Sequence, residues 1–201
     1  MKAIRWVLAT SNPGKIREFQ AWGNQHEIEL VPASEWNAPE VEEPYGTFLE
    51  NALIKARTLS AFTGLPALAD DSGLCVPALG GQPGVYSARF AGEPRNDTLN
   101  NNALIKALEG IKERSAYYYA VLVMCEHEND PQPLIAQGQW WGKILEKPEG
   151  EGGFGYDPLF YDDEMKLTAG QMSLEAKQQR SHRGQALAQL TQMITRRFNN
   201  Q

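Results

Sequence analysis

The chain has 201 residues, of which 42% are apolar and 22% are charged, and its formal net charge is −6. This composition is typical of a globular protein with a sizeable core, and the acidic balance argues against a binder of duplex nucleic acid. No apolar run approaches the ~18 residues that cross a membrane, and the stretch MKAIRWVLAT lacks the features of a secretion signal. Cys75 and Cys125 form no CxxC motif, so we expect buried thiols and a cytoplasmic protein.

The first predicted elements are a strand, a helix and a second strand, an order that favours parallel pairing. The first strand runs from Ala3 to Ala9, and Asn12 is predicted to cap the helix that follows. Gly23 is predicted to end this helix. The second strand is read from EIELVP.

The clearest helix, TFLENALIKARTLSAFTG, has Thr47 and Glu50 spaced as a capping box and Gly64 at its far end. The short strand PALAD runs into the predicted turn DDSG, and a loop rich in glycine and proline follows. The next helix, DTLNNNALIKALEGI, has Asp97 as its predicted cap.

Two apolar segments, YYYAVLVMCE and LIAQGQWWGKI, read as strands of an antiparallel hairpin. The last helix carries Leu187, Leu190 and Ile194 on one face, and Ser181 is its predicted cap. Together the elements predict an α/β fold, with a mixed central sheet flanked by helices and two lobes with a cleft between them. We expect one continuous domain over residues 1–201.

Four segments contain residues that could carry chemistry. In ATSNPGK, a turn at a helix start presents backbone N–H groups and the positive end of a helix dipole, where Lys15 is unfavourable unless an anion binds. The alternative is a plain capped turn. Asp70 and Asp71 should point to opposite sides of their strand, and such a carboxylate could bind Mg²⁺ or take a proton from water. The alternative there is an Asx turn.

The other two segments are EGGFGYDPLF and KQQRSHRGQ. Glycines beside the rings of Phe154 and Tyr156 suit stacking on a flat base, although a hairpin corner with core aromatics has the same pattern. This second segment places Lys177, Arg180, His182 and Arg183 within seven residues at a helix start, where a basic cluster fits an anion or a keto group, or is simply solvated.

Taken together, ATSNPGKIREF, FLENALIKA, LADDSGLCVPALGGQPGVYSARFAG, GGFGYDPLF and SHRGQAL resemble the successive signature blocks of the non-canonical purine nucleoside triphosphate pyrophosphatases, also called inosine triphosphate pyrophosphatases. The resemblance covers nearly the whole chain. It implies Mg²⁺-dependent hydrolysis of inosine, deoxyinosine and xanthosine triphosphates to the monophosphate and pyrophosphate, and a homodimer that clears these compounds from the nucleotide pool.

The resemblance also implies roles for individual residues. Asp71 would be the general base and a metal ligand, and Glu42 the second metal ligand, although Glu43 could take that role. The residues implied in substrate binding are Thr10, Ser11, Asn12, Pro13, Gly14, Lys15, Lys55, Ser72, Phe154, Gly155, Tyr156, Asp157, Lys177, His182 and Arg183.

The chain departs from the family pattern in three places. Ser11 stands where the family usually has glycine, the double acid before Lys177 is missing, and QWWGKI and AYYYAVLV are unusually aromatic. None of these departures touches the proposed acid or the lysines, so we expect activity. Two alternatives stay open: a related pyrophosphatase that prefers modified pyrimidines, and a nucleotide-binding protein without activity.

Overall fold

The computed structural model describes residues 4–198, and within that range it contains seven strands and five α-helices. The strands are β1 (Ile4–Ala9), β2 (Ile28–Pro32), β3 (Ala67–Cys75), β4 (Ser115–Cys125), β5 (Leu134–Ile144), β6 (Phe160–Asp162) and β7 (Leu167–Thr168). The helices are α1 (Pro13–Gln25), α2 (Phe48–Thr63), α3 (Asp97–Ala107), α4 (Leu174–Arg180) and α5 (His182–Phe198).

The strands form one sheet in the order β2-β1-β3-β4-β5-β6-β7. β1 pairs in parallel with both β2 and β3, whereas β6 pairs antiparallel with both β5 and β7. The predicted α/β class with a mixed sheet is therefore confirmed, and so is the parallel strand–helix–strand unit at the start of the chain.

The helix caps follow the sequence closely, with one error. The Asn12 side chain caps α1, Thr47 accepts the N–H of Glu50 at the start of α2, and Gly64 ends α2 in the left-handed conformation with φ +68°. The predicted end of α1 at Gly23 is wrong, because the helix continues to Gln25. Gly23 instead allows close packing, since a Cβ there would lie 2.7 Å from the carbonyl oxygen of Ile28.

Two further local predictions are wrong. DDSG forms no turn, because β3 continues through it to Cys75. The cap of α3 is Asn96, whose side chain accepts the N–H of Leu99, and Asp97 is the first helical residue. Ser181 does cap α5, since its hydroxyl accepts the N–H of Gly184.

The chain divides into two compact units, each with a hydrophobic core of its own. Within the described residues, the first comprises residues 4–71, 121–137 and 186–198, and its core includes Trp6, Phe19 and Leu190. The second comprises residues 72–120 and 138–185, and its core includes Trp140 and Phe160. Across the described residues, none of the helices has the length and apolar character needed to cross a membrane.

Candidate active site

The register of the parallel strands places two polar segments of the first unit side by side. Ala9, the last residue of β1, pairs with Ala69 of β3. The chain after β1 then turns into the start of α1, while β3 continues with Asp70 and Asp71. Both segments therefore lie where the parallel pairing of β1 with β3 ends, and open α/β sheets bind their ligands beyond the carboxyl ends of such strands.

The turn after β1 is held by its own side chains. Thr10 Oγ1 accepts the N–H of Asn12, and Asn12 Oδ1 accepts the N–H groups of Gly14 and Lys15 at 2.8 and 3.2 Å. The predicted cap residue Asn12 thus engages both of these N–H groups. Ser11 and Pro13 are exposed and Gly14 is buried.

Lys15 has a protein partner at the unfavourable end of the helix dipole. Its Nζ lies 2.6 Å from Oδ1 of Asp70, whose side chain is completely buried. The position of Lys15 is thus explained by a carboxylate of the chain itself, and an anionic ligand is not required to explain it. Together with Glu43, Lys55 and Asp71, this pair forms what we call the acid–lysine group.

Lys55 of α2 lies among the acids of this group. Its ammonium donates to Glu43 Oε1 at 2.9 Å, to the backbone oxygen of Asp70 at 2.7 Å and to Asp71 Oδ1 at 3.3 Å. An ammonium has three donors, and these contacts use all of them. Burial lowers the pKa of Lys55, but the charges of Asp71 and Glu43 outweigh it and leave that pKa raised, so Lys55 stays charged.

Asp71 combines burial with a free oxygen. It is 5% exposed, and burial raises its pKa from 3.8 to about 6, even though Lys55 and Lys15 oppose that rise. Among the described residues, its buried Oδ2 has no hydrogen-bond partner. A buried carboxylate oxygen without a donor is suited to a hard cation or to the proton of a water molecule.

The second predicted metal ligand, Glu42, is exposed, whereas Glu43 shares the ammonium of Lys55 with Asp71. No cluster of three or more His, Cys, Asp or Glu residues that could hold a metal occurs in residues 4–198. A cation there would need further oxygens from water or a ligand. Mg²⁺ is commonly bound in this way, by one or two carboxylates together with substrate phosphates and water, so the residues present fit it.

A second set of predicted residues lies in the other unit, and we call it the aromatic–cation group: Phe154, Asp157, Lys177, His182 and Arg183. Lys177 Nζ lies 4.5 Å from the centre of the Phe154 ring, and the Arg183 guanidinium carbon lies 6.0 Å from it. Arg183 also donates to the hydroxyl of Ser72 at 2.8 Å. The structure therefore brings together residues that are far apart in the sequence.

The basic residues of this group are not a solvated charge cluster. Lys177 and His182 are each 5% exposed and Arg183 is 1% exposed. Arg180 lies outside this group and is more exposed, and it pairs with Asp162 and Glu164. Burying a charged side chain costs free energy unless the charge is paired or a bound ligand compensates for it.

Asp157 organises the aromatic–cation group. Its Oδ2 accepts the N–H of Phe154 at 2.8 Å and an ammonium proton of Lys177 at 2.5 Å, and its Oδ1 accepts the hydroxyl of Tyr118 at 3.2 Å. Both carboxylate oxygens are thus engaged by the protein. Gly153, with φ +77°, is needed beside it, because a Cβ there would overlap the Asp157 carboxylate.

Sequence reasoning missed the residues that hold Gly155 in place. Asp97 accepts the N–H of Gly155 at 2.7 Å, and Asn101, one turn later on α3, donates to its carbonyl at 2.9 Å. The neighbouring Tyr156 is buried and donates its hydroxyl to the carbonyl of Ser87. The i, i+4 spacing of Asp97 and Asn101 was visible in the sequence, but their partner was not.

Comparison with known proteins gives a consistent result. A model of the Ham1 family matches residues 6–193. A dITP/XTP pyrophosphatase of Nitrosomonas europaea is 52% identical over 189 residues, which cover 94% of this chain and 93% of that protein. A dITP/XTP pyrophosphatase of Bordetella pertussis is 56% identical over 189 residues, 92% of this chain and 89% of that protein.

Solved structures agree with these matches. The structure of a HAM1 protein from Coxiella burnetii is similar with a TM-score of 0.89 and 45% identity, over 96% of this chain and 99% of that one. A mixed sheet with buried acids and lysines at its parallel strand ends defines an α/β protein suited to anionic ligands. Within that class, the chain belongs to the Ham1 family.

Proposed function

We propose that this protein hydrolyses non-canonical purine nucleoside triphosphates, namely those of inosine, deoxyinosine and xanthosine, to the monophosphate and pyrophosphate. The observation that carries the proposal is Asp71, a buried carboxylate with a raised pKa and one oxygen without a donor, beside the charged Lys55. The names of the relatives from Nitrosomonas europaea and Bordetella pertussis support the substrate class.

The acid–lysine group supplies what the phosphate end of the substrate needs. Asp71 takes a proton from a water molecule, and the oxygen of that water forms a bond to the α-phosphorus. The bond from this phosphorus to the bridging oxygen breaks, and pyrophosphate leaves with the electron pair. Lys15, in the first turn of α1, adds positive charge for the phosphate oxygens as negative charge develops.

Lys55 has a different role from the phosphate contact that the family resemblance implies. Because its three donors are engaged by Glu43, Asp70 and Asp71, it holds the two carboxylates in position, and its charge opposes the rise in the pKa of Asp71. In the proposal, the main role of Lys55 is to position these carboxylates. It can contact a phosphate only if it gives up one of its three hydrogen bonds.

Mg²⁺ is part of the proposal, with Asp71 and Glu43 as the carboxylates that would hold it. Glu43 is preferred over Glu42 because it lies on the same ammonium as Asp71, whereas Glu42 is exposed. When bound, Mg²⁺ supplies positive charge to the phosphate oxygens in addition to that of the lysines.

The aromatic–cation group supplies what the base end needs. The ring of Phe154 offers a surface for stacking on a flat base, and its backbone is fixed by Asp157. His182 and Arg183 are donors that can pair with a 6-keto oxygen. Adenine has an amino group at that position and would leave buried donors without acceptors, a mismatch that can reach ~10⁴-fold in selectivity.

A panel assay tests the proposal. The protein is incubated with Mg²⁺ and the triphosphates of inosine, deoxyinosine, xanthosine, guanosine, adenosine and a modified pyrimidine, and pyrophosphate and monophosphate are quantified together. We expect equal amounts of the two products from the first three compounds, and at least a hundredfold less from adenosine triphosphate.

Other outcomes would identify the alternatives. Preferential turnover of the modified pyrimidine would indicate a related pyrophosphatase, and tight binding without product would indicate a binding protein. Release of inorganic phosphate together with the nucleoside diphosphate would show attack at the γ-phosphorus instead of the α-phosphorus. The variant Asp71→Asn is the matched control, since it keeps the shape of the side chain and removes the base.

The homodimer and the cytoplasmic location are further parts of the proposal, and the family resemblance is their support. Light scattering after gel filtration gives the mass in solution, which we expect to be twice the 22.4 kDa of the chain. A mass of one chain would contradict this part while leaving the proposed reaction untouched.

A further inference from the structure

Tyr118 on β4 touches two members of the aromatic–cation group at once, although neither the family pattern nor the proposed reaction gives it a role. Its ring lies parallel to the imidazole of His182, with centroids 4.8 Å apart and an angle of 10° between the planes. Its hydroxyl donates to Asp157 Oδ1 at 3.2 Å. Tyr118 thus contacts both a candidate base reader and the carboxylate that fixes Phe154.

Tyr118 is itself held firmly. It is 8% exposed, and its ring packs against Phe160 at 4.7 Å and against Trp140 at 6.1 Å between centroids. Burial, with the charge of Asp157, raises the pKa of the Tyr118 hydroxyl well above its ordinary value, so the hydroxyl remains a donor at any working pH. A rigid ring of this kind can fix the plane of the imidazole stacked on it.

We propose that Tyr118 is a positioning residue for base recognition, which sets the plane of His182 through the ring stack. This inference rests on the proposed function, because it assigns His182 to the recognition of a keto purine. A hydrogen bond from a side chain to a base depends on direction, so a tilt of the imidazole weakens the contact with a 6-keto oxygen. The rate of the hydrolytic step depends on other residues, those of the acid–lysine group.

An ordinary core role for Tyr118 makes a different prediction. A residue that only fills the core would, when truncated, lower stability and reduce activity on every nucleotide by the same factor. A residue that orients His182 changes the ratio of kcat/KM for inosine triphosphate to kcat/KM for adenosine triphosphate. This ratio is therefore the quantity to measure, and it is insensitive to the fraction of folded enzyme.

The experiment compares Tyr118→Leu, which removes the ring, with Tyr118→Phe, which keeps the ring and removes the hydroxyl. We expect Tyr118→Leu to lower the ratio about tenfold, mainly through a higher KM for inosine triphosphate, and Tyr118→Phe to stay within about twofold of the wild-type ratio. Tyr161→Leu is the matched control: Tyr161 is a half-buried tyrosine of the same unit whose ring lies under Lys143. It should leave the ratio unchanged.

A double-mutant cycle shows whether Tyr118 acts through His182. In a His182→Ala background, Tyr118→Leu should change the ratio by less than twofold, because the ring that it orients is gone. An equal loss in both backgrounds, or an equal loss on all nucleotides, would overturn the inference. If Tyr118→Leu does not fold, Tyr118→Met, which fills the space without a ring, carries the same expectation.

The outcome can be separated from the fate of the proposed function. If the wild-type protein releases no pyrophosphate from any triphosphate, the proposed function fails before Tyr118 is examined. If the wild type shows the expected preference and the ratio is indifferent to Tyr118→Leu, only the inference about Tyr118 is wrong.

Discussion

Replacing Asp71 by Asn should abolish activity and at the same time stabilise the protein. Asp71 has its pKa raised from 3.8 to about 6, with burial as the largest cause, so the folded state holds a carboxylate that would be better solvated in the unfolded chain. Each pKa unit corresponds to about 1.4 kcal/mol, and the pKa of Asp71 rises by about two units on folding. At pH 8 the ionised side chain therefore lowers the free energy of unfolding by about 3 kcal/mol.

The sign of the effect gives it a pH dependence. A group whose pKa is raised on folding opposes the folded state above that pKa and ceases to oppose it below the unfolded value. Between pH 8 and pH 5 the destabilisation of the folded state by Asp71 falls from about 3 to about 1.6 kcal/mol, because at pH 5 most of Asp71 in the folded state is protonated. An asparagine is neutral throughout, so the advantage of Asp71→Asn should shrink by about half over this range.

The assay is urea unfolding of both proteins at pH 8 and pH 5, with EDTA present so that no divalent cation binds the carboxylates. Pyrophosphate release from inosine triphosphate with Mg²⁺ is measured in parallel, and we expect a loss of at least a hundredfold for Asp71→Asn, the usual scale of a missing general base. A variant no more stable than wild type, or an advantage that does not change with pH, would refute the reasoning about burial. Near-normal turnover would refute the role of Asp71.

Three further predictions concern neighbouring contacts. Lys15→Ala should raise the KM for triphosphates about tenfold and, because it removes a partner of the buried Asp70, lower the free energy of unfolding by about 3 kcal/mol; Lys15→Arg should restore part of the stability, as measured by urea unfolding. Lys177→Met, which removes an ammonium from the buried Asp157, should lower the free energy of unfolding by about 3 to 5 kcal/mol, and unchanged unfolding would contradict the importance of that ion pair. Gly155→Ala should destabilise the protein by about 1 to 2 kcal/mol, since φ is +62° there, and should raise KM by a larger factor than it lowers kcat. A fall in kcat as large as the rise in KM would argue against the place of Gly155 in base binding.

The sequence by itself determined the local structure and the chemistry of single residues. Asn12, Thr47 and Gly64 are the caps that their side chains and spacing predicted, since capping depends on groups a few residues apart. The alternation along a strand predicts that Asp70 and Asp71 point to opposite sides, and their carboxylates contact different lysines, Lys15 and Lys55. Some residues occur in more than one local structure, and there the prediction was wrong: α1 does not end at Gly23, and DDSG forms no turn.

Only the tertiary structure decided which groups meet. The ammonium of Lys55 uses its three donors on residues of other segments, and one of them goes to Glu43. Arg183 is buried because residues from elsewhere in the chain cover it. The stack of Tyr118 on His182 joins residues 64 positions apart, and AYYYAVLV showed only that the strand was unusually aromatic. Desolvation and donor counts depend on every neighbour in space, and for that reason the raised pKa of Asp71 could not be read from DDSG.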